Sequence, residues 1–221
     1  MAMTRSLAQR AMESEAIVRV YESRLWRRSV VAALALAISF EREQQLIGRA
    51  AALSPGDTLL DLACGPGIYT RPFARRVAPG LVVGLDLSPA MLAYARRRAR
   101  EEGLANVALV RGDALRLPFA TGRFDAVNCC GALHLFPDAD LALCEVDRVL
   151  KPGGRFTLAA FRRRPGPLAS LGSALRRRVM GIDAFTPEEL RSRLEAAGLR
   201  EVTCHFAGAQ WLIMSARRAT V

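Results

Sequence analysis

The feature that most constrains this chain is an alternation that begins at Thr58 and continues to Phe161. Short apolar runs at Thr58 to Leu62, Leu81 to Leu87, Val107 to Val110, Phe124 to Cys130 and Arg155 to Phe161 read as strands. Most are separated by stretches of helical character: Ile68 to Val77, Pro89 to Glu102 and Asp138 to Leu150. The runs lack the polar alternation of a half-exposed strand, so both faces of each are expected to be covered. Ser88 with Pro89 marks a helix start, Gly103 marks its end, and Lys151-Pro152-Gly153-Gly154 stops the helix before it. Strands joined by helical crossovers predict a parallel sheet with helices on both faces.

The flanks differ. Thr186-Pro187-Glu188-Glu189 is a capped helix start, and the helix is expected to run to Ala197. Two strand-like runs follow, Glu201 to Phe206 and Trp211 to Ala216, joined by only Ala207 to Gln210. So short a link predicts an antiparallel hairpin. The expectation is an α/β fold with a mostly parallel seven-stranded sheet ending in that hairpin. From Met1 to about Leu53 the pattern is helical, with one helix over Ala11 to Trp26 and an apolar helix from Ser29 through Glu41, Glu43 and Gln44. Residues 1–53 are therefore expected to form a helical extension or lid, and residues 54–221 the main domain. Within it, residues 162–183, opening on Arg162-Arg163-Arg164-Pro165-Gly166-Pro167, read as an inserted excursion.

Composition narrows the partners. The 221 residues are 51% hydrophobic, ample for a packed core, and carry a formal charge of +11. Lys151 is the only lysine among the 32 basic side chains. Two readings remain: a polyanionic partner, or an arginine-for-lysine usage of GC-rich coding. The arginines are scattered and no aromatic residues interleave with them, so no nucleic-acid platform is expected. Cys64, Cys129, Cys130, Cys144 and Cys204 are odd in number and form no C-x-x-C pair. Neither a disulfide framework nor a structural metal site follows, and a reducing cytoplasm fits. The first residues lack a signal peptide's order, and the longest apolar run, Val30 to Phe40, is too short to cross a bilayer. A soluble cytoplasmic protein is expected, with peripheral membrane contact and oligomeric state left open.

Chemistry concentrates at Asp61-Leu62-Ala63-Cys64-Gly65-Pro66-Gly67, a glycine-rich turn between first strand and first helix. Glycine lets a ligand approach the backbone closely. Nineteen residues beyond Gly67, at the end of the second strand, stands Asp86, where an acid accepts from a ribose diol. The ligand need not be a dinucleotide, because Thr70 occupies the place of the third glycine in that fingerprint. Asp61 suits an ammonium group better than a pyrophosphate. It serves equally well as a brace for the turn through backbone N–H groups.

These runs resemble the class I S-adenosylmethionine-dependent methyltransferases, in particular the subgroup that includes the ubiquinone/menaquinone-type enzymes. The resemblance covers about Leu59 to Phe161. It rests on five segments in order: Asp61 to Gly67, Gly84 to Ser88, Arg111-Gly112-Asp113-Ala114 with Leu117-Pro118-Phe119, Phe124-Asp125-Ala126-Val127 leading to Leu133-His134, and Leu150 to Phe156. It implies a Rossmann-like methyltransferase fold and S-adenosyl-L-methionine as cofactor, with S-adenosyl-L-homocysteine as product. Residue by residue, it places backbone at Gly65 and Cys129 on the methionine amino group and Asp86 on the ribose. Leu87 and Met91 would flank the adenosine, and Asp113 and Ala114 would read the adenine. Tyr21, Asp61, Cys64, Gly67, Thr70 and His134 complete the implied cofactor set. Pro66 departs from the serine or threonine often found there.

On the acceptor side, His134 is the candidate general base for a phenol or acidic carbon, or else it orients the cofactor. Tyr21 and Trp26, with the Val30 to Phe40 helix, either close the pocket as a lid or simply pack. The fourth strand ends in Asn128-Cys129-Cys130-Gly131, not the Asn/Asp-Pro-Pro-Tyr/Phe of adenine- and glutamine-methylating relatives. No Pro-Cys pair offers a cytosine nucleophile; the cysteines show no arsenite-methylating pairing, an alternative that Cys129, Cys130 and Cys144 still leave open. The expectation is O- or C-methylation of a hydrophobic small molecule such as a quinone or polyketide. Two alternatives stand: a protein of this fold that transfers no methyl (a cyclase or cofactor-binding partner), and an RNA methyltransferase recruited through the arginines.

Overall fold

The structure, a computed structural model, describes residues 37–163 and 182–220. Tyr21, Trp26 and most of the expected excursion lie outside the described residues. Elements follow in the order α1 (Phe40–Ala51), β1 (Thr58–Leu62), α2 (Thr70–Val77), β2 (Leu81–Asp86), α3 (Pro89–Glu101), β3 (Val107–Arg111) and β4 (Phe124–Cys130). After a 3-10 turn at Leu133–Leu135 come α4 (Ala139–Val149), β5 (Leu150–Phe161), α5 (Pro187–Ala196), β6 (Leu199–Ala207) and β7 (Trp211–Arg218).

The seven strands form one sheet in the order β3-β2-β1-β4-β5-β7-β6. The first five run parallel; β7 inserts antiparallel between β5 and β6. The uninterrupted apolar runs are explained by burial on both faces. Along β1, Leu60 and Leu62 enter a layer with Leu143 and Val146 of α4 and Leu190 and Leu194 of α5. Leu59 points the opposite way, into a layer with Phe40 and Ile47 of α1, Phe73 and Val77 of α2, and Trp211 and Ile213 of β7. Period-two side chains thus feed two cores at once.

The apolar helix expected from Ser29 through Gln44 is not continuous. Residues 37–39 are non-helical, Ala37 has φ 58°, and a new helix starts at Phe40. Ser39 explains the restart, since its hydroxyl accepts the Arg42 N–H at 3.2 Å and satisfies an otherwise orphaned donor. The stop expected at Lys151 to Gly154 appears as an irregularity at the start of β5. Phe124 pairs with Leu150 while Ala126 pairs with Arg155, so the intervening residues bulge out.

β1 lies between β2 on one side and β4 on the other, so the chain's winding direction reverses there. In open α/β sheets that reversal leaves a crevice beyond the carboxyl ends of the strands. The candidate residues gather at that place.

Candidate functional site

The turn after β1 is held in an unusual backbone shape. Gly65 and Gly67 have φ of 53° and 80°, in the left-handed region that glycine enters without a Cβ penalty. The Cys64 N–H donates to the Leu85 carbonyl at 2.9 Å, which fastens the turn to the end of β2. Arg71 braces it from behind: its Nη1 donates to the Pro66 carbonyl at 2.8 Å while its Nε pairs with Glu102 at 2.9 Å. A Cβ built on Gly65 would meet no atom within 4 Å, so the turn's backbone borders open space.

Asp86 stands opposite. Its two carboxylate oxygens accept the N–H groups of Gly65 and Ser88, each at 2.8 Å. Burial pushes this carboxyl above its ordinary range, and the backbone donors from Ser88, Gly65 and Leu87 oppose the rise. A carboxylate has about four lone-pair positions, so acceptor capacity remains for a diol. Beside it, Met91 is buried and Leu87 half-buried. The Gly112 N–H donates to the Asp86 carbonyl at 3.2 Å, bringing exposed Asp113 and buried Ala114 to the same rim. Asp113 meanwhile accepts the Leu115 N–H at 3.0 Å.

Asp61, only 2% exposed, anchors a polar row across the sheet. It is level with Asn128 on β4, which is level with Thr157 on β5. Thr70 Oγ1 donates to one Asp61 oxygen at 2.5 Å and Asn128 Nδ2 to the other at 2.7 Å. Asn128 Oδ1 in turn accepts from Thr157 Oγ1 and Cys130 Sγ, both at 3.0 Å. Desolvation dominates Asp61 and lifts it from an ordinary 3.8 to about 6, with the nearby Asp86 charge adding to the rise and the Thr70 and Asn128 bonds opposing it. Such a carboxyl gains most from a cationic neighbour. Open space over Gly65, a diol acceptor at Asp86 and a carboxyl suited to an ammonium at Asp61 together fit S-adenosylmethionine.

Burial pushes the Cys129 thiol up to about 12 and raises Cys64 well above its ordinary value. Both thiols are buried, where a cysteine serves as a small packing side chain. Cys64 packs beneath β2, where a Cβ on Gly84 would lie 3.0 Å from its sulfur. His134 follows β4 in the 3-10 turn and is buried. Its ring lies 4.4 Å from the Phe161 ring and 6.1 Å from that of Trp211, which is itself 5.3 Å from Phe161.

Several residues here do not stand out from the sequence: Glu43, Tyr69, Asn128, Thr157, Phe161 and Trp211. The Tyr69 hydroxyl donates to Glu43 Oε1 at 2.6 Å and Trp211 Nε1 donates to the same oxygen at 3.2 Å. One signal is available. On α1 the buried residues are Phe40, Glu43, Ile47 and Ala51, an inward stripe in which an acid is out of place.

The methyltransferase domain family matches residues 59–154. A demethylmenaquinone methyltransferase of Thermus thermophilus is 37% identical over 163 residues, covering 63% of this chain and 73% of that enzyme. The chain belongs to the class I S-adenosylmethionine-dependent methyltransferases. Another member, the demethylmenaquinone methyltransferase of Lactococcus lactis, is 44% identical over 101 residues, 45% of this chain, and the match spans only 40% of that relative's length. A crystal structure of an S-adenosylmethionine-dependent methyltransferase from Aquifex aeolicus superposes with a TM-score of 0.71 at 20% identity, covering 92% of this chain and 98% of that one. The chain therefore has the Rossmann-like fold of its class, in accord with the sequence reading. Among its described residues no helix is long and apolar enough to cross a membrane.

Proposed function

We propose that the protein transfers a methyl group from S-adenosylmethionine to a hydrophobic small molecule, at carbon or oxygen. One observation carries the reading: at the sheet's reversal point Asp86, at the end of β2, holds the Gly65 N–H of a turn whose backbone borders open space at Gly65. The quinone-type relatives support an apolar acceptor.

The cofactor supplies an electrophilic methyl on a sulfonium. In this assignment Asp86 takes the ribose hydroxyls while its bond to Gly65 keeps the turn in place. Asp61 would face the ammonium of the amino-acid end as a carboxylate. Leu87, Met91, Ala114 and Asp113 enclose the base. Backbone at Gly65 and Cys129 completes the amino-acid site, with Cys64, Gly67 and Thr70 shaping it. Methyl displacement needs alignment and dryness more than acid–base strength. We assign His134 to the acceptor, its imidazole receiving the proton of a phenol or acidic carbon, with Phe161 and Trp211 as its apolar surroundings. Tyr21 and Trp26 are proposed to close the pocket from residues 1–53, over a main domain of 54–221. A cytoplasmic setting is supported by the five free cysteines.

Calorimetric titration with S-adenosylmethionine, S-adenosylhomocysteine and NADH tests the cofactor. Binding of the first two and not the third is expected. Incubation with demethylated quinones and polyketide phenols should then release S-adenosylhomocysteine in step with a methylated product. Cofactor binding with product formed but no methyl transferred would shift the assignment to a cyclase. Steeply salt-dependent RNA binding would shift it to an RNA enzyme.

A further inference from the structure

The buried carboxylate of Glu43 lies outside the machinery just described, yet it touches both sides of it. Glu43 is 1% exposed and projects from α1 into an otherwise apolar layer. Placing a carboxylate there is costly, and a leucine would fill the same position without desolvation. Its contribution is therefore one of direction, because hydrogen bonds fix orientation where apolar packing does not.

Tyr69 is two residues past Gly67 and immediately precedes Thr70, whose hydroxyl holds Asp61. The next residue of the helix, Gln44, donates its Nε2 to the Ile68 carbonyl at 3.2 Å. Two consecutive residues of α1 thus grip two consecutive residues of the cofactor turn. The Glu43 oxygen that receives Tyr69 also receives the Trp211 indole, and Trp211 packs against Phe161 and His134.

We propose that Glu43 is a positioning residue for methyl transfer: through one carboxylate oxygen it docks α1 onto the cofactor turn and onto the aromatic wall beside His134, so that both halves of the site share one geometry. The inference rests on the assignment of the Gly65 to Thr70 turn to the cofactor. It makes α1 part of the site's framework.

The test compares the full-length wild type with Glu43→Ala, Glu43→Gln and Tyr69→Phe. Amide exchange of residues 65–70 is followed without ligand, with β3 as internal reference, and S-adenosylhomocysteine affinity is measured by titration. Glu43→Ala is expected to speed exchange in the turn and to weaken S-adenosylhomocysteine by about tenfold each, leaving β3 unchanged. Glu43→Gln keeps an amide oxygen for both donors and should stay within about twofold of wild type. Tyr69→Phe should loosen the turn as Glu43→Ala does. Should Glu43→Ala fail to fold, Tyr69→Phe and Glu43→Gln decide the matter by the same readouts. Exchange in the turn unchanged in Tyr69→Phe or in a folded Glu43→Ala would overturn the proposal, as would a Glu43→Gln protein as loose as Glu43→Ala. A wild type that binds no S-adenosylhomocysteine would sink the cofactor assignment instead, while exchange still reports whether Glu43 orders the turn.

Discussion

Replacing Asp61 by asparagine should make the cofactor-free protein more stable and a poorer cofactor binder. Burial lifts the Asp61 carboxyl from 3.8 to about 6. Each pKa unit is worth about 1.36 kcal/mol, so the ionised form costs the fold about 3 kcal/mol. The sign follows from which state ionises first. Below pH 3.8 both folded and unfolded chains hold the proton and the group contributes nothing. Between about pH 4 and 6 only the unfolded chain ionises, so stability falls; above pH 6 the loss is complete. Asparagine escapes it. Its oxygen still accepts from Asn128 Nδ2, and its amide donates to Thr70 Oγ1, which turns from donor to acceptor. Calorimetric unfolding at pH 8 should place Asp61→Asn about 6–12 °C above wild type, since 1 kcal/mol is worth about 2–4 °C in a chain of this size. The gap should close as pH falls to 4. The same substitution should weaken S-adenosylhomocysteine by at least about tenfold, and wild-type binding near pH 6 should release protons. A mutant less stable than wild type at pH 8, or a gap independent of pH, would refute the reasoning.

Three further outcomes are expected. Asp86→Ala strips the acceptor from the Gly65 and Ser88 N–H groups as well as from the ribose, so S-adenosylhomocysteine affinity should drop by about 1–3 kcal/mol in titration. His134→Ala should lower single-turnover methyl transfer by about 10²–10⁴-fold while cofactor affinity holds within about twofold; full transfer would leave His134 an orienting role only. Gly80→Ala should destabilise by about 3 kcal/mol or more in urea unfolding, because its Cβ would lie 2.2 Å from the Asp57 carbonyl oxygen, which is backbone and cannot swing away.

The parallel sheet, its closing hairpin and the glycine turn after β1 are legible in the amino-acid sequence, because each is written in local chemistry. Two-sided burial leaves unbroken apolar runs, left-handed backbone demands Gly65 and Gly67, and Asp86 ends its strand at a fixed interval from them. The break at Ser39 is hidden, since apolar helical pattern runs straight through it and only the cap geometry reveals the restart. The remaining parts of the site depend on neighbours far apart in the chain. Asn128 reads as a polar blemish in a strand until β4 lands beside β1 and the amide meets Asp61. Glu43 reads as a helix former until α1 settles on the sheet, where Trp211, 168 positions away, reaches the same oxygen as Tyr69. By itself the sequence determined the alternation of strands and helices, the closing hairpin and the glycine turn, because periodicity and turn chemistry act within a few residues. Only tertiary structure decided which buried polar groups meet, because a hydrogen bond is set by distances of about 3 Å that no spacing along the chain encodes.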